Sequence, residues 1–170
     1  MKSIFILIIT CFTITTNHID KTILEDSQKC NAELTVEQNR NFKWAVNGSL
    51  NFSLILTNTT SNTTTYSLST KRLKEACVTI PNKKSLKNNI DFDVSLQMND
   101  SKNTFKHSSK NEITLSGGQT YKFVVTISIP EGTPYDNYSC IEVEAKSKDC
   151  EDSNSAKTTL SVYVSNPSEG

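Results

Sequence analysis

The chain has 170 residues, with 18 basic and 18 acidic side chains and no net charge at neutral pH. Such a balance removes any global attraction to nucleic acid or acidic lipid. The length sets one domain with a sizeable core as the expectation.

Residues 1–16 read as a secretory signal, with Lys2 ahead of the apolar run Ile4–Ile9 and its extension through Cys11, Phe12 and Ile14. The run is shorter than the ~20 residues a spanning helix needs, so no transmembrane anchor is expected. Cys11, following Leu7–Thr10, is a candidate lipid-anchor site. Residues 17–30 form a polar leader. With the signal removed, Cys30, Cys77, Cys140 and Cys150 remain. An even number of cysteines in an exported domain implies two disulfides, with three pairings open. No Cys-x-x-Cys or Cys/His spacing exists, so a metal site is not expected.

Period-two alternation then runs along the chain. Ala32, Leu34 and Val36 alternate with Glu33, Thr35 and Glu37 in a first strand. Residues 39–47 read as an extended lead-in carrying Phe42 and the sole Trp44. A Trp in a small domain is ordinarily core, whereas an exposed Trp44 beside Phe42 makes a sugar-stacking platform. Leu50, Phe52, Leu54 and Leu56 mark a second strand, and Tyr66 and Leu68 a third after the polar turn at 58–63. Residues 71–89 are irregular and basic, without the interleaved aromatics of a nucleic-acid platform.

Ile90, Phe92, Val94, Leu96 and Met98 form the inward side of a further strand. The most regular stretch is 113–145. There Tyr121, Phe123, Val125, Ile127 and Ile129 alternate between turns at Gly117-Gly118 and Pro130–Pro134, and another strand follows from Tyr138. Leu160, Val162 and Val164 close the pattern, and residues 166–170 are a tail. Seven to nine short strands separated by polar turns argue an all-β, antiparallel β-sandwich over residues 31–165, of the Ig-like or fibronectin type III-like kind.

The stretches Leu50–Asn58, Tyr66–Leu68, Ile113–Pro130, Tyr138–Ser147 and Thr159–Val164 together resemble Ig-like modules of bacterial surface and secreted proteins. The CARDB adhesion-related domain and the sandwich appended to α-galactosidases have the same cadence. Gly117-Gly118-Gln119 stands where those modules carry Pro-Gly-Glu. The resemblance implies a spacer, adhesion unit or carbohydrate-associated accessory. Asp136-x-Tyr138-x-Cys140 is similar to the tyrosine corner of immunoglobulin domains. However, the second strand has no Cys and the third no Trp. Ile141, Val143 and Ala145 set the inward parity, so Cys140 is expected to point outward. In an Ig-like strand order Cys140 and Cys150 bracket one strand, ~30 Å apart at ~3.3 Å per residue. That order implies the pairs Cys77–Cys140 and Cys30–Cys150.

Candidate chemistry is sparse. His18 and His107 both sit in polar segments, with no nucleophile beside them. Asp91 with Asp93, and Glu142 with Glu144, are carboxylate pairs of the kind that hydrolyse glycosidic bonds. Each pair also reads as the wet face of an amphipathic strand. Asp149, Glu151, Asp152 and Asn154 crowd one turn but lack calcium-loop spacing. Sequons at Asn47, Asn51, Asn58, Asn62, Asn99 and Asn137 are candidate glycosylation sites in a eukaryotic secretory route. The expectation is a secreted or surface-exposed, non-catalytic binding or structural module for adhesion or protein–protein interaction, with a protein or glycan partner and no cofactor. The alternatives are a carbohydrate-binding accessory domain and a secreted hydrolase using the paired carboxylates.

Overall fold

A computed structural model describes residues 31–75, 77, 89–98, 111–149, 155–166 and 168. The strands are β1 (Ala32–Val36), β2 (Phe42–Ala45), β3 (Gly48–Asn58), β4 (Thr64–Arg72), β5 (Asp93–Met98), β6 (Glu112–Leu115), β7 (Thr120–Ile129), β8 (Tyr138–Ser147) and β9 (Ala156–Val164). They form two sheets, one ordered β1-β3-β7-β5 and the other β2-β9-β8-β4-β6. The chain is an all-β Ig-like sandwich, as its alternation implies.

The core lies where the alternating rows of the two sheets meet. Phe52, Leu54 and Leu56 of β3 and Phe123, Val125 and Ile127 of β7 face Tyr66, Leu68, Val143, Leu160 and Val162 of the second sheet, all buried. Burying each large apolar side chain contributes about 1.5–3 kcal/mol against leaving it in water.

Two features depart from the expected antiparallel plan. The segment expected as a lead-in contains β2, and β2 pairs with β9 in parallel, from Phe42↔Ser161 to Ala45↔Val164. Between β1 and β2 the chain turns through Glu37–Asn39, with Gln38 (φ 60°) and Asn39 (φ 55°) left-handed. This turn moves the chain from one sheet to the other. The expected strand 90–98 is also shorter than its alternation. The β5 ladder begins at Asp93, while Asn89 forms an isolated parallel bridge to Tyr138 of the other sheet.

A buried asparagine ties the two turns at one end of the sandwich. The Asn58 side-chain amide donates to the carbonyls of Asn62 (2.7 Å), Leu115 (3.0 Å) and Ser116 (3.2 Å). Its Oδ1 accepts from the Thr60 N–H (3.0 Å) and hydroxyl (2.8 Å). The bond to Thr60 N–H, two residues on, is an Asx turn. Gly117 lies so close to this turn that a Cβ there would meet the Ser61 carbonyl carbon and oxygen at 2.5 Å.

Candidate functional site

The exposed large apolar side chains among the described residues are Trp44 (53% exposed), Val46 (42%) and Tyr135 (40%). Alternation along β2 explains two of them. Ala45 turns inward and is buried, so Phe42, Trp44 and Val46 turn outward, and β2 is an edge strand with no further strand beside it among the described residues. The expectation of a core Trp44 is therefore corrected: parallel pairing with β9 fixes the face of β2 and sets the indole on the outside. Phe42 meets Trp44 edge-on (5.3 Å between centroids, 84°), and Tyr163 of β9 does the same from the other side (5.0 Å, 86°). The Tyr163 hydroxyl donates to the Asp136 carboxylate (2.5 Å), and Asp136 N–H donates to Val164 O (2.8 Å). Tyr135, next in sequence to Asp136, is thereby held at the same end of β9. Val46, Tyr135 and Tyr163 were not legible as part of this corner. Their membership depends on which strand lies beside β2.

Next to the corner is a second small core on the outer face of the same sheet, formed by Tyr138, Cys140 and Tyr163 with Phe42 and Leu73 against them. The expected parity of Cys140 holds, since it faces away from Ile141 and Val143. Although outward, Cys140 is fully buried, because the chain leaving β4 crosses over it. Leu73 N–H donates to Cys140 O (2.8 Å), and Cys77 forms a disulfide to Cys140 with 5.9 Å between the Cα atoms. Tyr138 belongs to this outer cluster and not to the main core. The similarity to a tyrosine corner is thus one of spelling. Cys30 and Cys150, like Cys11, lie outside the described residues.

The carboxylates considered for hydrolysis lie exposed or beside a basic side chain. Asp93 is exposed at the start of β5, and Asp91 is exposed two residues before it, 3.8 Å from Arg72. Glu142 and Glu144 lie on the outer face of the second sheet, where Lys157 contacts both, at 3.2 and 3.5 Å. A hydrogen bond from Ser155 and the Lys157 charge hold the Glu144 carboxyl below its ordinary value. The hydrogen bond to Glu142 raises Lys157. Burial raises the Tyr66 phenol inside the core. Asp149 accepts the Thr65 N–H (2.6 Å), and the other acidic residues of that turn are outside the described set. No group of three metal-ligating side chains occurs among the described residues, and no helix there is long and apolar enough to cross a membrane.

The structure separates the sequons. Asn47 and Asn62 are exposed in turns, and Asn51 is exposed on β3, where its Oδ1 accepts from Thr126 (2.8 Å). Asn58 is fully buried, and Asn137 is buried with its amide on Pro134 O (2.8 Å). A glycan cannot stand on either side chain in this fold, and both candidates are withdrawn. The +2 Thr60 that completes one sequon is the Asx-turn partner of Asn58. Asn99 lies outside the described residues.

A trough runs between the open side of β4 and β5. One hollow of about 430 Å³ is lined by Leu68, Thr70, Val94, Leu96 and Asn111, and another of about 400 Å³ by Thr70, Arg72, Asp91, Phe92, Val94 and Ile141.

No family model matches the chain, and no curated protein does. Solved structures do resemble it. A FixG-related protein from Vibrio parahaemolyticus is 14% identical with a TM-score of 0.43, over 77% of this chain and 94% of that one. A family 123 glycoside hydrolase from Clostridium perfringens is 14% identical with a TM-score of 0.49, over 80% of this chain and 28% of that one. The E. coli chaperone DraB is 13% identical with a TM-score of 0.42, over 81% of this chain and 56% of that one. The chain thus spans about a quarter of the hydrolase and about half of the chaperone.

Proposed function

We propose that this protein is a non-catalytic binding and structural module working outside the cytoplasm, and that it contacts a protein partner through the corner formed by Phe42, Trp44, Val46 and Tyr135. The exposed apolar corner carries this reading. Exposed Trp and Tyr surrounded by polar residues are the side chains that dominate protein contacts. The Cys77–Cys140 disulfide supports an oxidising compartment, in keeping with the expected signal at residues 1–16. The exposure of Asp91 and Asp93 and the engagement of Glu142 and Glu144 by Lys157 support the absence of hydrolysis, because a hydrolytic pair faces a substrate with one member free to give up a proton. Affiliation with the CARDB-like or α-galactosidase-appended modules is part of the same proposal.

The test is a photo-crosslinker at Val46 on protein returned to its native surface. A discrete protein adduct that disappears with Trp44→Ala/Tyr135→Ala supports the reading. An adduct unaffected by the pair of changes, or turnover of a glycoside lost with Glu142→Gln, overturns it. Exposure of Trp44 with Phe42 beside it favours carbohydrate binding as the second reading. Retention on a glycan array that is lost with Trp44→Ala selects it.

A further inference from the structure

Open strand edges are protected in natural sheets by shortness, by Lys or Pro, or by bulges. Of the four edge strands among the described residues, three follow that rule: β1 has five residues, and β2 and β6 have four each. β5 does not. It has six residues, DVSLQM, with no Lys, Arg or Pro, and an unbroken ladder to β7 from Asp93↔Ser128 to Met98↔Phe123. Its far edge has no strand beside it among the described residues. The inward side chains are also unfinished. Val94, Leu96 and Met98 are half-buried, whereas their ladder partners Ile127, Val125 and Phe123 are fully buried. The two hollows against β4 lie along this same row.

We propose that β5 pairs antiparallel with β5 of a second copy, joining two four-stranded sheets into one of eight strands. Self-complementarity of the sequence selects this occupant. With Ser95 opposite Ser95 of the second copy, the outer face reads Asp93 against Gln97 at both ends. The inner face reads Val94 against Leu96 and Phe92 against Met98. Every apolar residue meets an apolar one, and no like charges face each other. Moving the register so that Asp93 meets itself sets two carboxylates opposite each other, which disfavours it. The contact is isologous and closes at two copies. The second copy's Val94 and Leu96 come to lie over the trough beside Leu68 and Thr70. This edge is on the opposite sheet from the Trp44 corner, so it stands or falls separately from the contact proposed there.

Sedimentation and light scattering on the full chain read the outcome, with Ser95→Cys as the geometric probe. Directly opposed residues of an antiparallel pair have Cβ atoms ~4.5–5.5 Å apart, close to disulfide reach. The expected result is a dimer that Ser95→Cys locks under oxidation and Gln97→Cys does not. Ser95→Lys, an exposed change that opposes two cations at the two-fold, weakens it about tenfold or more. A chain that is monomeric at its highest soluble concentration overturns the proposal. So does a dimer indifferent to Ser95→Lys and not locked by Ser95→Cys, or a β5 edge that captures a foreign peptide while the chain stays monomeric.

Discussion

Replacing Asn58 by Leu keeps the branched shape and the number of heavy atoms and removes every side-chain hydrogen bond the residue makes. The Leu115 carbonyl bond is buried, and losing its donor costs about 1–3 kcal/mol. The bonds to Asn62 O, Ser116 O and the Thr60 N–H and hydroxyl are only part-buried, so water replaces them at about 0.5 kcal/mol each. The sum is about 3–5 kcal/mol. In urea, with a slope of about 2 kcal/mol per molar, the midpoint falls by about 1.5–2.5 M. The assay is far-UV circular dichroism, because Trp44 is exposed in the folded state and reports unfolding poorly by fluorescence. Asn62→Ala is the control, since among the bonds to Asn58 it contributes only a backbone carbonyl, which Ala retains. A loss below about 1 kcal/mol, or one equal to that control, refutes the account of Asn58 as the tie between the turns. Asn58→Asp adds a sign test. A carboxylate facing three carbonyl oxygens has its pKa raised. The defect is therefore full at neutral pH and shrinks as pH falls through the folded-state pKa.

Gly117→Ala pushes a Cβ into the Ser61 backbone, which cannot yield as a side-chain tip does, and is expected to cost about 1–3 kcal/mol in the same titration. Cys77→Ser/Cys140→Ser opens a loop with a sequence separation of 63 and is expected to lose about 2–4 kcal/mol in the same titration. Ser139→Ala removes a buried hydroxyl that has no hydrogen-bond partner, so its stability should equal or slightly exceed that of the native chain. The Glu144 carboxyl is held below its ordinary value of 4.5, so its contribution is present above that pH and is lost as pH falls through the lowered folded-state pKa. Glu144→Gln should be slightly less stable at neutral pH, less so in high salt, and no different in strong acid.

The period-two rows of β3, β7, β8 and β9 were legible because a strand's side chains report directly on which face is buried. The outward parity of Cys140 was legible for the same reason. The corner was not, because the exposure of Trp44 is a property of its neighbours. Nothing local to Phe42–Ala45 says that the segment changes sheets after Asn39 or that β9 lies parallel to it. The burial of Asn58 was hidden by its own spelling: Asn-Thr-Thr serves equally as a sequon and as an Asx turn. The β5 alternation was visible as a strand, but its half-finished burial depends on β6 ending where it does on β4.

The change of sheet between β1 and β2 has a mechanical consequence. β2 runs in the same direction as β9, the last strand, so tension drawn between residue 32 and residue 164 pulls these neighbours lengthwise in opposite senses. The bonds between Phe42–Ala45 and Ser161–Val164 are then loaded in shear, together, instead of opening one after another from an end. β1 against β3 is loaded in the same sense. A link with this geometry resists being drawn out along its own length, and its resistance is governed by the unfolding rate rather than by equilibrium stability.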